Sequence, residues 1–431
     1  MQRVLSFQMA RGVSESSEFV TKRMCFSLIF SVSFLSLLCG FLLGRFATQR
    51  AIEFRAEKKR IELAGNGLEN TEYLQRLMLE QLERAPLDPD FEIKWDSFHL
   101  KEDDILRVNG ILSNLSLIHN VVKHQSYIVA TARGSREPDR YVVVSASGEG
   151  VGVALELAKI FNEIQGEYKW KPRRSLIFCL FSGSLNPCPE ILSSFMSHRI
   201  VAYIVVHHQA LQGKGPFIVS GSDIIQSIVL ESASIVKSSF SYNDQLLSLN
   251  NTFHNVTTSR LALEIPHAVL SFTNYSVTYN ENHHEKELRK IILAQILGQT
   301  VWRLSECLVI KWNPNYLNEI ASKALQSINN TELVEVKGKV QEILVDLTTN
   351  VKTLNGKIDT IENINTLDTR ILNDLLIDLD RVLLCSDKQH QSRTDWTEFF
   401  RLHREPFNII LMYINEMIKC YENAIQLLQN R

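Results

Sequence analysis

Residues 131–182 constrain the fold of this chain most strongly, because they have the pattern of a strand, a helix and a second strand. Residues 141–146 are a short run of apolar and β-branched side chains, which is typical of a strand buried on both faces. A glycine-containing turn follows, and residues 153–161 then place apolar side chains on one face of a helix. Residues 176–181 are a second apolar run. The sequence therefore predicts an α/β fold built on a right-handed βαβ unit with parallel strands.

The glycine turn admits a nucleotide-binding interpretation, which the neighbouring residues disfavour. In dinucleotide-binding folds a glycine-rich turn approaches the pyrophosphate, and an acidic residue about 20 positions later binds the ribose. Here the second strand ends in Phe181-Ser182-Gly183-Ser184, which offers no carboxylate. Two interpretations remain: another known α/β fold family, or an unrelated α/β domain that happens to contain a glycine turn. The formal net charge of −2 also disfavours a general nucleic-acid binder, so we expect no nucleic-acid partner.

Four short segments carry a resemblance to a known family. They read Ala-Arg-Gly, Glu-Pro-Asp-Arg-Tyr-Val-Val, Leu-Glu-Leu-Ala and Lys-Pro-Arg-Arg-Ser-Leu, at residues 132–134, 137–143, 155–158 and 171–176. Together they resemble the M28 zinc-peptidase superfamily, and within it the branch of glutamate carboxypeptidase II and the transferrin receptors. The resemblance covers roughly residues 116–312 and 313–431. It implies an M28-like mixed sheet flanked by helices, followed by an all-α, transferrin-receptor-like dimerisation domain.

The same resemblance implies that the metal site is degenerate. Active relatives bind two zinc ions through histidine and carboxylate ligands, and a glutamate acts as general base. Ser147 stands where the first histidine is expected, and the loop that should carry a bridging aspartate is shortened to residues 148–152. The other altered positions are Ser184 and Leu185, at the glutamate pair, and His207 and His208, where an aspartate is expected. The chain is thus similar to a shortened, inactive NAALADase-like protein without catalytic residues, cofactor or metal.

An active enzyme is the alternative hypothesis. A zinc-dependent exopeptidase could use relocated ligands, and the nearby candidates are Glu149, Glu190, His207 and His208. The chain otherwise offers no local Ser-His-Asp or Cys-His arrangement. The first hypothesis is therefore a binding or scaffolding protein with an unknown protein ligand, and the second is a metallopeptidase.

Residues 24–44 are predicted to cross a membrane. They contain no charged side chain and are bounded by Lys22-Arg23 and by Arg45. At about 1.5 Å per residue, a helix of this length spans a hydrocarbon core of about 30 Å. A cleaved signal peptide is the alternative, but its apolar region has only about 7–15 residues. We therefore expect a signal-anchor after a cytoplasmic tail of residues 1–23, although the flanking charges by themselves favour the reverse orientation.

Five N-glycosylation sequons follow this segment, which favours a luminal or extracellular position for the bulk of the chain. The 23 residues before the segment contain no asparagine. The resemblance implies the same type II topology, at the plasma membrane or in the secretory pathway. The candidate acceptors are Asn114, Asn250, Asn255, Asn274 and Asn329.

The remaining segments are predicted to be mostly helical. Residues 45–100 are a stalk and lead-in, of which 51–84 form either a helical stalk or a helix laid on the core. Residues 101–312 are the inactive peptidase-like domain, and the roughly 70 residues between the predicted span and the family-like strand at residue 116 are too few for the apical domain of full-length relatives. Residues 313–431 form the helical domain, in which Gly338 and Gly356 argue against one uninterrupted helix. We expect a homodimer, or a heterodimer with a related receptor-like chain, through apolar residues near 371–383 and 409–417.

The cysteines give little guidance to function. Five of the seven lie after the predicted span, widely spaced and without C-x-x-C pairs, so no zinc module is expected. An oxidising compartment would permit disulfides and leave at least one thiol unpaired. Cys179 lies in the middle of a predicted strand, and we interpret it as a small buried apolar residue.

Overall fold

The computed structural model describes most of the chain with several gaps. The described residues are 26–52, 71–84, 102–181, 188, 196, 198–206, 210–211, 213, 215–240, 265–273, 283–326, 334–360, 366–387, 392–393, 396, 399 and 406–430. Two compact units result, Met1–Arg60 and Ile61–Arg431.

The first unit contains one apolar helix, α1 (Phe26–Ile52). Its most apolar stretch has a mean hydropathy of 2.3, and none of that stretch is buried against other parts of the protein. This helix is long and apolar enough to cross a membrane, and it overlaps the predicted segment 24–44. A membrane span and a signal sequence both fit these properties.

The second unit is built on a mixed sheet. Within the described residues its strands run in the order β1-β2-β4-β3-β5-β7-β6. The strands are β1 (Asn120–Lys123), β2 (Tyr127–Ala132), β3 (Glu137–Ser147), β4 (Arg174–Phe181), β5 (Ile200–Val206), β6 (Phe217–Gly221) and β7 (His267–Phe272). Strands β3, β4, β5 and β7 are parallel, whereas β1, β2 and β6 are antiparallel to their neighbours. The mixed α/β sheet is thus as predicted, and β3 and β4 are the parallel strands of the expected βαβ unit.

Helices cover the sheet and build the larger hydrophobic core. The helices of this layer are α2 (Thr71–Arg84), α3 (Glu102–Asn114), α4 (Gly150–Tyr168), α5 (Asp223–Phe240) and α6 (His283–Glu306). Helix α6 packs against α2, α4 and α5. Leu74, Met78, Leu79 and Leu82 of α2 are buried in this layer, so residues 71–84 are a helix laid on the core. A smaller apolar cluster lies on the other face of the sheet.

The C-terminal part is helical, as the resemblance implies. Its helices are α7 (Asn315–Gln326), α8 (Val334–Thr360), α9 (Thr366–Leu383) and α10 (Phe407–Gln429), with a short ribbon of β8 (Ser386–Asp387) and β9 (Ser392–Arg393). Helix α10 packs against both α8 and α9.

One expectation about these helices is wrong. Gly338 and Gly356 both lie inside the continuous helix α8, which packs against α10, and a helical glycine costs only about 1 kcal/mol. Of the apolar residues expected at a second contact, Ile410, Ile414 and Met417 are at most 5% exposed and pack within this domain, since α10 contacts both α8 and α9. Ile371 of α9 is instead 45% exposed.

Candidate functional site

The carboxyl ends of the parallel strands form the edge at which α/β sheets bind ligands. Ser147, Phe181, Val206 and Phe272 are the last residues of β3, β4, β5 and β7. The chain leaves β3 through α4 toward β4 on one side, while β5 lies on the other side of β3. This change of direction creates the crevice in which a binding site is expected. We call the region of Ser147 and the following turn the carboxyl-end edge.

The turn between β3 and α4 is tight. Ser147 is only 2% exposed, and α4 already begins at Gly150. A Cβ atom added to Gly150 would lie 2.6 Å from Cγ1 of Val206, so only glycine allows the helix to start this close to β5. The described turn therefore leaves only Gly148 and Glu149 between β3 and α4.

Glu149, a candidate ligand of the alternative enzyme hypothesis, is held in an ion pair. Its Oε1 lies 2.5 Å from Nζ of Lys286, in the first turns of α6. Its Oε2 is buried and has no hydrogen-bond partner. An ammonium group thus already neutralises this carboxylate.

A disulfide lies beside the same edge and corrects the interpretation of Cys179. Cys179 of β4 is bonded to Cys188, and both residues are at most 1% exposed. The pair belongs to the smaller apolar cluster, together with Val143, Ile177 and Phe181. The sequence did not reveal this bond, because pairing depends on a Cα–Cα distance of 6.2 Å that only the fold creates. A second disulfide joins Cys385 and Cys420, and Cys307 remains a free, partly buried thiol.

The motif residues that carry the family resemblance lie at the opposite, amino ends of β3 and β4. Nε of Arg173 and Nε of Arg174 donate to the two carboxylate oxygens of Glu137, at 2.7 and 3.0 Å. Arg174 is fully buried and also donates to the Leu304 carbonyl oxygen at 2.6 Å. Gly134 permits this arrangement, since an added Cβ would lie 2.6 Å from the Arg174 carbonyl carbon. We call Glu137, Arg173, Arg174 and Glu306 the buried charge cluster.

Glu306 completes this cluster from the last turn of α6. Its Oε1 accepts a hydrogen bond of 3.0 Å from the Arg173 backbone N–H, whereas its Oε2 is buried without a partner. Burial raises the pKa of Glu306 to about 8, although the hydrogen bond and both arginines act in the other direction. The cluster joins two strands to a helix and is far along the strands from Ser147, so its role is structural.

Helix α9 is attached to the sheet by polar contacts from the same motif. Arg140 pairs with Asp374 at 2.5 Å, and Asp139 pairs with Arg370. Asp380, 1% exposed, accepts from the Ser222 hydroxyl at 2.6 Å and from the Ile224 N–H at 2.9 Å, at the start of α5. The Glu-Pro-Asp-Arg segment therefore secures the helical part to the sheet.

The predicted site residues can be placed only in part. Ser147 is buried at the carboxyl-end edge, and Asn114 is exposed at the end of α3. The remaining predicted positions lie outside the described residues: Ser184, Leu185, Glu190, His207, His208, Asn250, Asn255, Asn274 and Asn329. Lys286, Glu306 and the Cys179–Cys188 bond were not singled out from the sequence. The one available signal was a lysine in the first turns of a predicted helix, where a positive charge is unfavourable.

The described side chains at this edge do not fit the two zinc ions that the resemblance implies. In the part of the chain that the structure describes, no group of three or more His, Cys, Asp or Glu residues could hold a metal ion. Among the described residues, the donors at the edge are the Ser147 hydroxyl and one carboxylate that already binds an ammonium group. Zinc sites instead use three or four histidine, cysteine or carboxylate ligands.

Sequence comparisons give the same relatives as the motifs. The chain is 24% identical to a probable glutamate carboxypeptidase of Arabidopsis thaliana over 333 residues, covering 67% of this chain and 47% of that protein. It is 38% identical to transferrin receptor protein 1 of Gallus gallus over 66 residues, covering 13% of this chain and 8% of the receptor. The chain resembles M28-type peptidases and transferrin receptors.

This resemblance is confirmed, but its extent is limited. The chain spans about half the length of the carboxypeptidase and a smaller share of the receptor. No protein-family model matches it. Among solved structures, an aminopeptidase from Aneurinibacillus sp. strain AM-1 is 16% identical, with a TM-score of 0.30, and the match covers 43% of this chain and 50% of that one. Because a TM-score of 0.30 is too low to establish a shared fold, the description of the fold rests on the strand order of the sheet.

Proposed function

We propose that this protein is a catalytically inactive, peptidase-like membrane glycoprotein that acts by binding or scaffolding. The observation that carries the proposal is the carboxyl-end edge. By the resemblance, Ser147 stands where a metal-binding histidine is expected, and the turn after it closes directly onto β5. We expect that water is not activated there as in the peptidases, because that chemistry needs a zinc centre or a general base.

The second candidate function is a zinc-dependent exopeptidase with relocated ligands. Of its four candidate ligands, Glu149 is paired with Lys286, and Glu190, His207 and His208 lie outside the described residues. No contact in the described residues favours this candidate, so it serves as the contrary outcome of the activity test.

The proposal includes a type II topology with residues 45–431 luminal or extracellular. Helix α1 is the candidate signal-anchor, and Asn114 is an exposed sequon that an oligosaccharide could occupy. Glycosidase treatment of the expressed protein should lower its apparent mass. If the mass is unchanged and a C-terminal tag is reachable only after permeabilisation, the orientation is reversed.

The proposal also includes self-association, or association with a related receptor-like chain. Ile410 and Ile414 are core residues here, so charges at these positions would unfold α10 and cannot report on a dimer. Met412, 59% exposed on α10, is a better probe. Sedimentation of the full chain in detergent decides this point: a monomer at micromolar concentration excludes the homodimer.

The activity test uses the full chain purified in detergent. We expect no hydrolysis of N-acetylated acidic dipeptides or of aminoacyl substrates, with or without added zinc. An active M28 peptidase prepared in the same way controls for loss of metal during purification. Hydrolysis that is inhibited by chelator and proportional to the amount of this protein would support the exopeptidase instead. A Ser147→Ala variant is the control for contamination, because activity from a contaminating peptidase should be the same in both preparations.

A further inference from the structure

We propose that Lys286 is an internal substitute for a bound cation: its ammonium group occupies the carboxyl-end edge and supplies the positive charge that Glu149 requires. The inference rests on the proposed function, because it assumes that this edge holds no metal. It goes further by naming the group that replaces the metal and by predicting a cation site when that group is removed.

The first support is the position of Lys286 in its helix. Lys286 is the fourth residue of α6, where the positive end of the helix dipole makes a cation unfavourable. A residue that breaks a local rule is tolerated when a specific partner compensates for it. Glu149, 2.5 Å away, is that partner.

The second support is the environment of Glu149. Its side chain is 24% exposed and that of Lys286 is 31% exposed, so water screens this pair less than a surface pair. Oε2 of Glu149 is buried without a hydrogen-bond partner, which leaves Lys286 as the charge that compensates for the carboxylate. Glu149 also lies at the N-cap of α4 and makes no side-chain capping bond to it, so the backbone of α4 does not supply the hydrogen-bond donor that its carboxylate needs.

The third support is the place at which the pair lies. Glu149 follows the end of β3 by two residues, at the loop that carries metal-binding groups in the peptidases that this chain resembles. A metal ion there would join the loops after neighbouring strands. Here the ion pair joins the residue before α4 to the start of α6. The Cys179–Cys188 bond connects β4 to a residue that follows its carboxyl end.

The test is removal and chemical replacement of the ammonium group in the full chain. Lys286→Ala deletes a propylammonium fragment, so n-propylammonium chloride is the probe, with sodium chloride at equal ionic strength as reference. Lys159→Ala is the matched control, because Lys159 pairs with Glu156 on α4 at 3.5 Å with similar exposure, 25% and 22%. The readout is the thermal unfolding midpoint.

We expect Lys286→Ala to lower the midpoint more than Lys159→Ala does, and propylammonium to restore part of that loss in Lys286→Ala alone. If Lys286→Ala does not fold, the double variant Glu149→Gln/Lys286→Met, which removes both charges, decides. Folding of the double variant supports the proposal that Lys286 replaces a cation, and failure of the double variant to fold overturns it. Equal losses in the two alanine variants without rescue would also overturn it. Zinc bound stoichiometrically by the unmutated protein would instead refute the proposed function, which separates the two failures.

Discussion

The amino and carboxyl ends of strands β3 and β4 carry opposite kinds of chemistry. At the amino ends, Glu137, Arg173 and Arg174 form a buried network that joins the sheet to the end of α6. At the carboxyl ends, the described residues include the buried Ser147, a tight turn and the Glu149–Lys286 ion pair. The motif residues that carry the resemblance thus lie at the end that stabilises the fold, and the departures expected from the sequence lie at the other end.

This difference shows which residues hold the fold together. Residues of the buried charge cluster are buried and multiply bonded, so any single replacement leaves an uncompensated charge. At the carboxyl-end edge, one ion pair and one disulfide connect the described elements.

The largest effect is expected from breaking the amino end. Arg174→Met should reduce the free energy of unfolding by about 3–5 kcal/mol, because Glu137 and the carbonyl oxygens of Leu304 and Leu308 lose a buried donor. Ser147→Ala, the matched change at the carboxyl end, should cost about 1 kcal/mol or less. Thermal or denaturant unfolding measures both. Equal losses at the two ends would contradict the comparison.

The next effect concerns the disulfide at the carboxyl-end edge. Replacing Cys179 and Cys188 together by alanine should destabilise the protein by about 2–3 kcal/mol, the range for a loop closed over nine residues. Reductant should lower the unfolding midpoint of the unmutated protein and have less effect on the variant. Peptide mapping under non-reducing conditions identifies the bond. Two free thiols at these positions would show that the bond is absent.

A further effect is expected from pH, through Glu306. Its pKa is about 8 in the folded protein and about 4.5 when unfolded, so the folded state holds the proton more tightly. The contribution of this group is fully present below about pH 4.5 and is lost as pH rises through about 8, at up to about 1.4 kcal/mol per pH unit. Glu306→Gln should flatten this slope in unfolding measurements made across the interval. An unchanged slope would show that Glu306 is ionised in the folded state.

The smallest effect is expected from an exposed contact of the same motif. Arg370→Ala removes the ion pair with Asp139. The side chains of Arg370 and Asp139 are 45% and 29% exposed, so the variant should lower the free energy of unfolding by less than about 1 kcal/mol. The destabilisation caused by Arg370→Ala should decrease with added salt, whereas that caused by Arg174→Met should not. A loss as large as that of Arg174→Met would mean that α9 depends on this exposed pair.

The sequence predicts the central fold well because its signals there are local. An apolar run, a glycine turn and a helical stripe within about fifty residues specify β3, α4 and β4. The end of β3 at Ser147 was predictable for the same reason. The resemblance adds that a zinc-binding histidine is expected at that residue, and a serine cannot replace it as a zinc ligand.

The remaining features depend on contacts between distant residues. Lys286 lies well over one hundred residues from Glu149 along the chain, and its charge gave no sign of its partner. The apolar residues of α10 were consistent with an interface, and the structure shows that Ile410, Ile414 and Met417 are buried where α10 packs against α8 and α9. The Glu-Pro-Asp-Arg segment could be recognised by resemblance, but its contacts with Arg173, Arg174 and α9 required the structure.

The most direct test of the central claim is the metal content of the purified full chain, measured by atomic emission after dialysis against zinc-containing and then zinc-free buffer. An inactive carboxyl-end edge predicts no stoichiometric zinc, and the same result for Ser147→Ala. Two zinc ions retained per chain, and lost on treatment with chelator, would show that the edge holds a metal centre built from other ligands.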